Sequence, residues 1–122
     1  MWEFNNDKPV YIQIMDEIKS KIISGEYTAG QRIPSVRELA EEARVNPNTM
    51  QKALMEAERE GYIVSMRTIG KYITNDVNKI AELKLNTAQN EGIIFVRKMK
   101  KLGLSYDEVQ TTIKKLYDEY TE

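Results

Sequence analysis

Val10, Ile14, Ile18 and Ile22 recur at every fourth position in VYIQIMDEIKSKIISG, with Met15 beside them. That spacing places them on one face of a helix, with Pro9 suited to its first turn and Gly25 to its end. The next segment, EYTAGQRIP, is punctuated by Gly30 and Pro34 and reads as connector around a short extended piece at Gln31 to Ile33. Ser35 then offers an N-cap and Glu38, three residues on, completes a capping box. A second start follows at Asn46, an N-cap with Pro47 at the first helical position, and Gly61 closes that helix. Between the two lies only Ala43-Arg44-Val45. Met50, Ala53, Leu54 and Ala57 form the apolar stripe of the later helix, so Asn48, Gln51, Lys52 and Met55 are expected to face outward.

Beyond Gly61 the period shortens. Tyr62-Ile63-Val64-Ser65 and Lys71-Tyr72-Ile73-Thr74 are β-branched and aromatic runs, and with Met66-Arg67-Thr68-Ile69-Gly70 between them they predict a small hairpin. From Asp76 to Leu102 helical spacing returns through Ile80, Leu83, Ala88, Phe95 and Met99, with Gly92 a weak point where a bend is expected and Gly103 the stop. Ser105 and Glu108 make a second capping box. Val109, Ile113, Leu116, Tyr117 and Tyr120 line one face of the helix it opens.

The expected fold is mostly α with a small β-hairpin. Two helices joined by a tight turn, the second polar near its start, resemble a DNA-reading helix-turn-helix, and the hairpin makes it winged. This domain is expected over residues 1–75. Residues 76–122 are expected to form a two-helix antiparallel region whose apolar stripes exceed what one pair can bury, so a second copy of the chain is the economical cover.

Composition narrows the chemistry. The 122 residues, 41% hydrophobic, suffice for one core, and the absence of cysteine and histidine excludes disulfides, thiolate nucleophiles, imidazole bases and the common zinc sites. No cofactor or metal is expected, and no residue pair has the make-up of a catalytic site. No apolar run approaches the length of a membrane span, and MWEFNNDKPVY has neither the basic nor the apolar region of a signal peptide, so a cytoplasmic location is expected. The net charge of −1, from 18 basic and 19 acidic residues, argues against nucleic-acid binding by bulk electrostatics. A winged-helix module that binds protein is therefore the competing reading. Glu41, Glu42, Glu56, Glu58 and Glu60 fall in later helical turns, which would leave Arg37, Lys52, Arg67 and Lys71 a surface free of carboxylates.

The residues then form a longer pattern. Gly25, Gly30-Gln31-Arg32-Ile33-Pro34-Ser35-Val36-Arg37-Glu38-Leu39-Ala40, Val45-Asn46-Pro47-Asn48-Thr49-Met50-Gln51-Lys52-Ala53-Leu54, Glu60-Gly61 and Gly70-Lys71-Tyr72-Ile73 closely resemble the GntR family of bacterial transcription regulators. VNPNTMQKAL and the short C-terminal part resemble its YtrA subfamily. The resemblance implies a homodimeric winged-helix repressor on a palindromic operator, often controlling a transport operon of the ABC type. Most members carry arginine where this chain has Pro47 and Gln51, so the site read here is expected to differ. The hairpin turn also lacks the glycine-rich character common in the family.

On that resemblance Arg37 is a phosphate or guanine contact, with an exposed ion pair to Glu41 as the alternative. Asn48 and Gln51 can pair with an adenine edge, while Thr49 and Ser35 suit phosphate oxygens, though Ser35 also caps. Lys52 and Lys71 are expected against phosphates, Arg67 as a wing contact, and Asn46 as a cap only. The expected dimer interface comprises Ile80, Leu83, Phe95, Met99, Val109, Ile113, Leu116, Tyr117 and Tyr120. Tyr62, Tyr72 and Met50 read as packing, and Met55 as rim. An effector pocket lined by Phe95, Tyr106, Tyr117 and Tyr120 is the second use open to that aromatic set.

Overall fold

The computed structural model describes residues 2–67 and 69–120. Its elements run α1 (Val10–Ile23), α2 (Val36–Ala43), α3 (Pro47–Glu60), β1 (Ile63–Met66), β2 (Gly70–Ile73), α4 (Val77–Lys101) and α5 (Tyr106–Glu119). The chain divides into two compact units, Met1–Lys84 and Leu85–Glu122.

In the first unit the expected stripes meet except at Val10, which is exposed at the start of α1. Ile14, Met15, Ile18 and Ile22 of α1, Leu39, Ala40 and Ala43 of α2, and Met50, Ala53, Leu54 and Ala57 of α3 are buried in one cluster with Ile33, Tyr62, Ile63 and Ile73. α3 is the shared partner, packing on α1, α2 and β1. Alanine at four of these helix positions lets the axes approach closely, while the isoleucines, Leu39, Met50 and Leu54 fill the space between. Trp2 and Phe4 pack against the same cluster from the N-terminal segment. The Gln13 amide holds that segment by donating to the Asn5 and Lys8 carbonyls at 2.9 and 2.7 Å.

The caps form as the sequence predicts. Ser35 Oγ accepts from the Glu38 N–H at 3.1 Å and the Glu38 carboxylate accepts from the Ser35 N–H at 3.2 Å. Ser105 and Glu108 repeat the arrangement at the start of α5. In both boxes hydrogen bonding to the serine holds the glutamate carboxyl below its ordinary range. Gly61 ends α3 at φ +91°, a conformation that glycine adopts without strain.

β1 and β2 are antiparallel, pairing Ile63 with Ile73, Val64 with Tyr72, Ser65 with Lys71 and Met66 with Gly70. Only the base of the hairpin enters the core, through Ile63 and Ile73. The extended piece expected before Pro34 appears as a bridge between Arg32 and Tyr72, with the Ile33 N–H donating to the Lys71 carbonyl at 3.0 Å and the Ile73 N–H to Gln31 at 2.8 Å. Thr68, counted in the expected turn, lies outside the described residues. Tyr62 starts no strand; it is buried, its hydroxyl without a hydrogen-bond partner among the described residues, and burial pushes its pKa well above the ordinary tyrosine range.

α4 stays helical through Gly92. Its early residues Ile80 and Leu83 pack, half-buried, against the core of the first unit. In the second unit no residue of α4 or α5 is buried, and Phe95, Met99, Leu104 and Val109 are only half-covered. None of the helices is long and apolar enough to cross a membrane among the described residues.

Leu54 is fully buried at the centre of the shared cluster. Leu54→Ala is expected to destabilise the first unit by about 2–5 kcal/mol. Urea unfolding followed by far-UV circular dichroism checks it.

Candidate nucleic-acid interface

The turn between α2 and α3 turns on one residue. Arg44 sits at φ 59°, ψ 47°, in the left-handed region, and its N–H closes α2 on Glu41 and Ala40. The Val45 N–H follows onto the Ala40 carbonyl at 3.0 Å. Asn46 then leaves the turn extended, and its Oδ1 accepts from the Asn48 N–H at 2.7 Å. With Pro47 supplying no N–H and Asn46 capping, α3 opens at the surface with its positive dipole end outward.

Asn48, Lys52 and Met55 are exposed on this helix, while Thr49 and Gln51 are half-covered. Ser35 and Arg37 are exposed at the start of α2, and Arg67 at the hairpin turn. Ser35 is engaged as a cap. Lys52 is not free in solution: its ammonium lies 4.0 Å above the centre of the Tyr11 ring, so the α1 aromatic holds this lysine beside the start of α3.

Of the four basic residues expected to share a surface free of carboxylates, Arg37 and Lys71 each meet one. Arg37 Nε lies 3.7 Å from Glu41, a pair so exposed that solvent and salt screen it and the arginine can exchange partners. Lys71 is bound more closely, to Glu58 of α3 and at 3.0 Å to Ser65 Oγ, with 18% of its side chain exposed. Burial pushes the Glu58 carboxyl up, but the hydrogen bonds from Lys71 and Ser65 and the lysine charge outweigh it and hold the group below its ordinary range. Arg37 with Glu41 is the i,i+4 pair that the spacing allowed, whereas Lys71 with Glu58 depends on which neighbouring element lies against α3, which helical period does not specify.

Four residues at this surface escaped the sequence reading. Tyr11 and Glu58 each hold a lysine assigned to phosphate, and Arg32 and Arg44 add exposed guanidiniums. Arg32 approaches the hairpin turn so closely that a side chain at Gly70, at φ +118°, would press on its guanidinium. A signal existed for two of them: Arg44 lies in the interhelical turn, and Arg32 in the extended piece beside the wing.

Of the residues assigned to a dimer interface, Ile80 and Leu83 are already half-covered by their own chain. Phe95, Met99 and Val109 are half-covered, and Ile113, Leu116, Tyr117 and Tyr120 are exposed. The aromatic set proposed for a pocket is divided at the α5 groove, which takes only two of its four members. An open groove on α5 is lined by Tyr106, Asp107, Gln110, Thr111, Lys114 and Tyr117, among others, and Phe95 and Tyr120 do not line it.

Residues 10–73, from the start of α1 to the end of β2, match the sequence profile of the bacterial regulatory proteins of the gntR family. The chain belongs to the GntR family. It is 38% identical over 112 residues to the HTH-type transcriptional regulator YhcF of Bacillus subtilis, covering 92% of this chain and 93% of that protein. The repressor YtrA of the same organism is 44% identical over 68 residues, 56% of this chain and 52% of YtrA, which supports the YtrA-like assignment within the GntR family. A GntR family regulator from Listeria monocytogenes superposes with a TM-score of 0.88 at 38% identity, covering 92% of this chain and 98% of the other. The AraR domain solved in complex with operator ORX1 superposes at 0.57 and 26% identity, covering 61% of this chain and 95% of that one. This GntR protein is accordingly a transcriptional regulator whose winged-helix unit is a DNA-binding domain.

Asn46→Ala removes the cap on which the exposed start of α3 depends. It is expected to cost about 1 kcal/mol of stability, within a range of roughly 0.5–2. Chemical denaturation against the parent chain measures it.

Proposed function

We propose that this GntR regulator is a homodimeric, cytoplasmic repressor that binds a palindromic operator by placing the first turns of α3 in successive major grooves. The observation that carries this reading is the exposed, capped start of α3, where Asn48, Gln51 and the Tyr11-held Lys52 stand near a helix N-terminus. Amides there can pair with adenine edges, and the lysine and helix end favour phosphate. Arg37 at the start of α2 supplies a second cation, its weak pair with Glu41 exchanging for a phosphate oxygen. That the relative YtrA is a repressor, and that the AraR domain was solved on an operator, support the same direction. Control of its own operon, in this subfamily often one for a transport system, is the part of the proposal that draws on the YtrA-like resemblance.

Dimerisation through α4 and α5 is supported by their apolar side chains. Leu85, Ile93, Ile94, Val96, Ile113 and Leu116 are all exposed, and no residue of either helix is buried. Such an extent of unburied apolar surface marks an interface. The interface proposed is Phe95, Met99, Val109, Ile113, Leu116, Tyr117 and Tyr120, with Ile80 and Leu83 at its margin. Light scattering at micromolar concentration is expected to return twice the chain mass, and a monomer mass overturns this part.

For DNA reading, the probe is a duplex enriched from a random pool by the wild-type chain. Arg37→Ala is expected to weaken binding to it strongly. Gln51→Ala is expected to cost roughly 1–3 kcal/mol and relax preference at one base position. Fluorescence anisotropy on duplex variants reads both, and unchanged binding in both removes this face from the assignment. A competing reading, a winged-helix module for protein, draws on the net charge of −1 and the paired cations. Affinity that falls steeply with salt supports DNA binding through phosphates, and a flat response supports the competitor.

A further inference from the structure

Three side chains from three elements close a triangle between the reading helix and the wing. Glu58 belongs to the later part of α3, and Ser65 and Lys71 are cross-strand partners on β1 and β2. The Ser65 hydroxyl and the Lys71 ammonium both donate to Glu58 Oε1, and the ammonium also donates to Ser65 Oγ at 3.0 Å. Directly opposed residues share a face of a two-stranded ribbon, so one carboxylate can hold both strands. The Lys71 and Glu58 side chains are 18% and 27% exposed, against 87% and 72% for Arg37 and Glu41. Reduced solvent strengthens the attraction and raises the cost of leaving either charge alone.

The hairpin needs such a hold. Its apolar anchor is confined to the Ile63 and Ile73 pair at the base, while Val64, Ser65 and Met66 are exposed. The bridge from Arg32 to Tyr72 ties β2 to the segment before α2. Glu58 is the tie from beyond the base to α3 itself.

We propose that Glu58 is a positioning residue for DNA reading: by holding Ser65 and Lys71 it sets the angle of the wing to α3, and Lys71 serves as the cation of this clasp and not as a phosphate contact. The inference rests on the reading that α3 enters the major groove, since the angle matters only if helix and wing engage one duplex together. It gives Lys71 a role its place in the wing would not suggest.

The sign of one substitution separates the possibilities. Glu58→Gln removes a negative charge, which by long-range electrostatics alone would tighten DNA binding. With the duplex enriched by the wild-type chain, Glu58→Gln and Lys71→Met are each expected to weaken binding, by roughly three- to tenfold from the loss of a charged hydrogen bond. The slope of log affinity against log salt stays at the wild-type value in both. The charge-swapped double variant, Glu58→Lys with Lys71→Glu, recovers most of the affinity. Hydrogen exchange at the hairpin amides accelerates in Glu58→Gln while exchange in α1 does not, which reports the clasp without DNA. The proposal is overturned if Lys71→Met lowers the salt slope by about one while Glu58→Gln binds as well as wild type, the mark of a phosphate contact. It is also overturned if hairpin exchange in Glu58→Gln is unchanged. A chain that enriches no duplex overturns the DNA reading and this inference together, whereas an enriched duplex with unchanged affinity in Glu58→Gln overturns the inference alone.

Discussion

The structure depends on α3 being buried on one side only. Met50, Ala53, Leu54 and Ala57 are fully enclosed by α1, α2 and the base of the wing, and this holds the opposite side of the helix in solvent at a defined angle. In the role proposed for it, α3 must be rigid without being covered. The N-terminal unit achieves this by packing small and large side chains in alternation against two other helices, so that displacement of α3 would open voids in a close-packed core. The tight turn at Arg44 and the cap at Asn46 then determine where the helix begins, and so which residues stand at its exposed end.

Electrostatics follow from this scaffold in an unexpected way. A domain with no basic excess has little long-range pull on DNA, and several of its cations are already partnered within the unit. These pairings differ in strength. Arg37 with Glu41 is an exposed contact that a phosphate can displace, Lys52 above Tyr11 keeps its charge available while its position is restricted, and Lys71 with Glu58 is enclosed enough to act as structure. Recognition on such a surface relies on the placement of a few groups more than on summed charge.

The C-terminal unit poses the opposite problem. Its helices carry apolar stripes and bury nothing completely, so the unit has the composition of an interface without a core of its own. Tyr106 and Tyr117 line an open groove, while Tyr120 is exposed and Phe95 half-covered, an arrangement in keeping with the second copy of the chain proposed above.

Much of this was legible from residue order alone. Both capping boxes, the Asn46 and Pro47 start, the Gly61 stop, the stripe of α3 and the hairpin are local features, determined by residues within one turn or one strand of each other. The family resemblance rests on the same residues. What the period could not reveal were the pairings between elements: Lys71 with Glu58, Lys52 with Tyr11, Arg32 against the wing turn, and Ile80 and Leu83 against the first core. Sequence determined which face α2 and α3 would bury and where they begin and end, because those choices follow from backbone hydrogen bonding and side-chain polarity at short range. Local spacing allowed Arg37 to meet Glu41 within α2, but tertiary structure alone decided that Lys71 meets Glu58 and Lys52 meets Tyr11, because those contacts depend on how separate elements are brought together by the core.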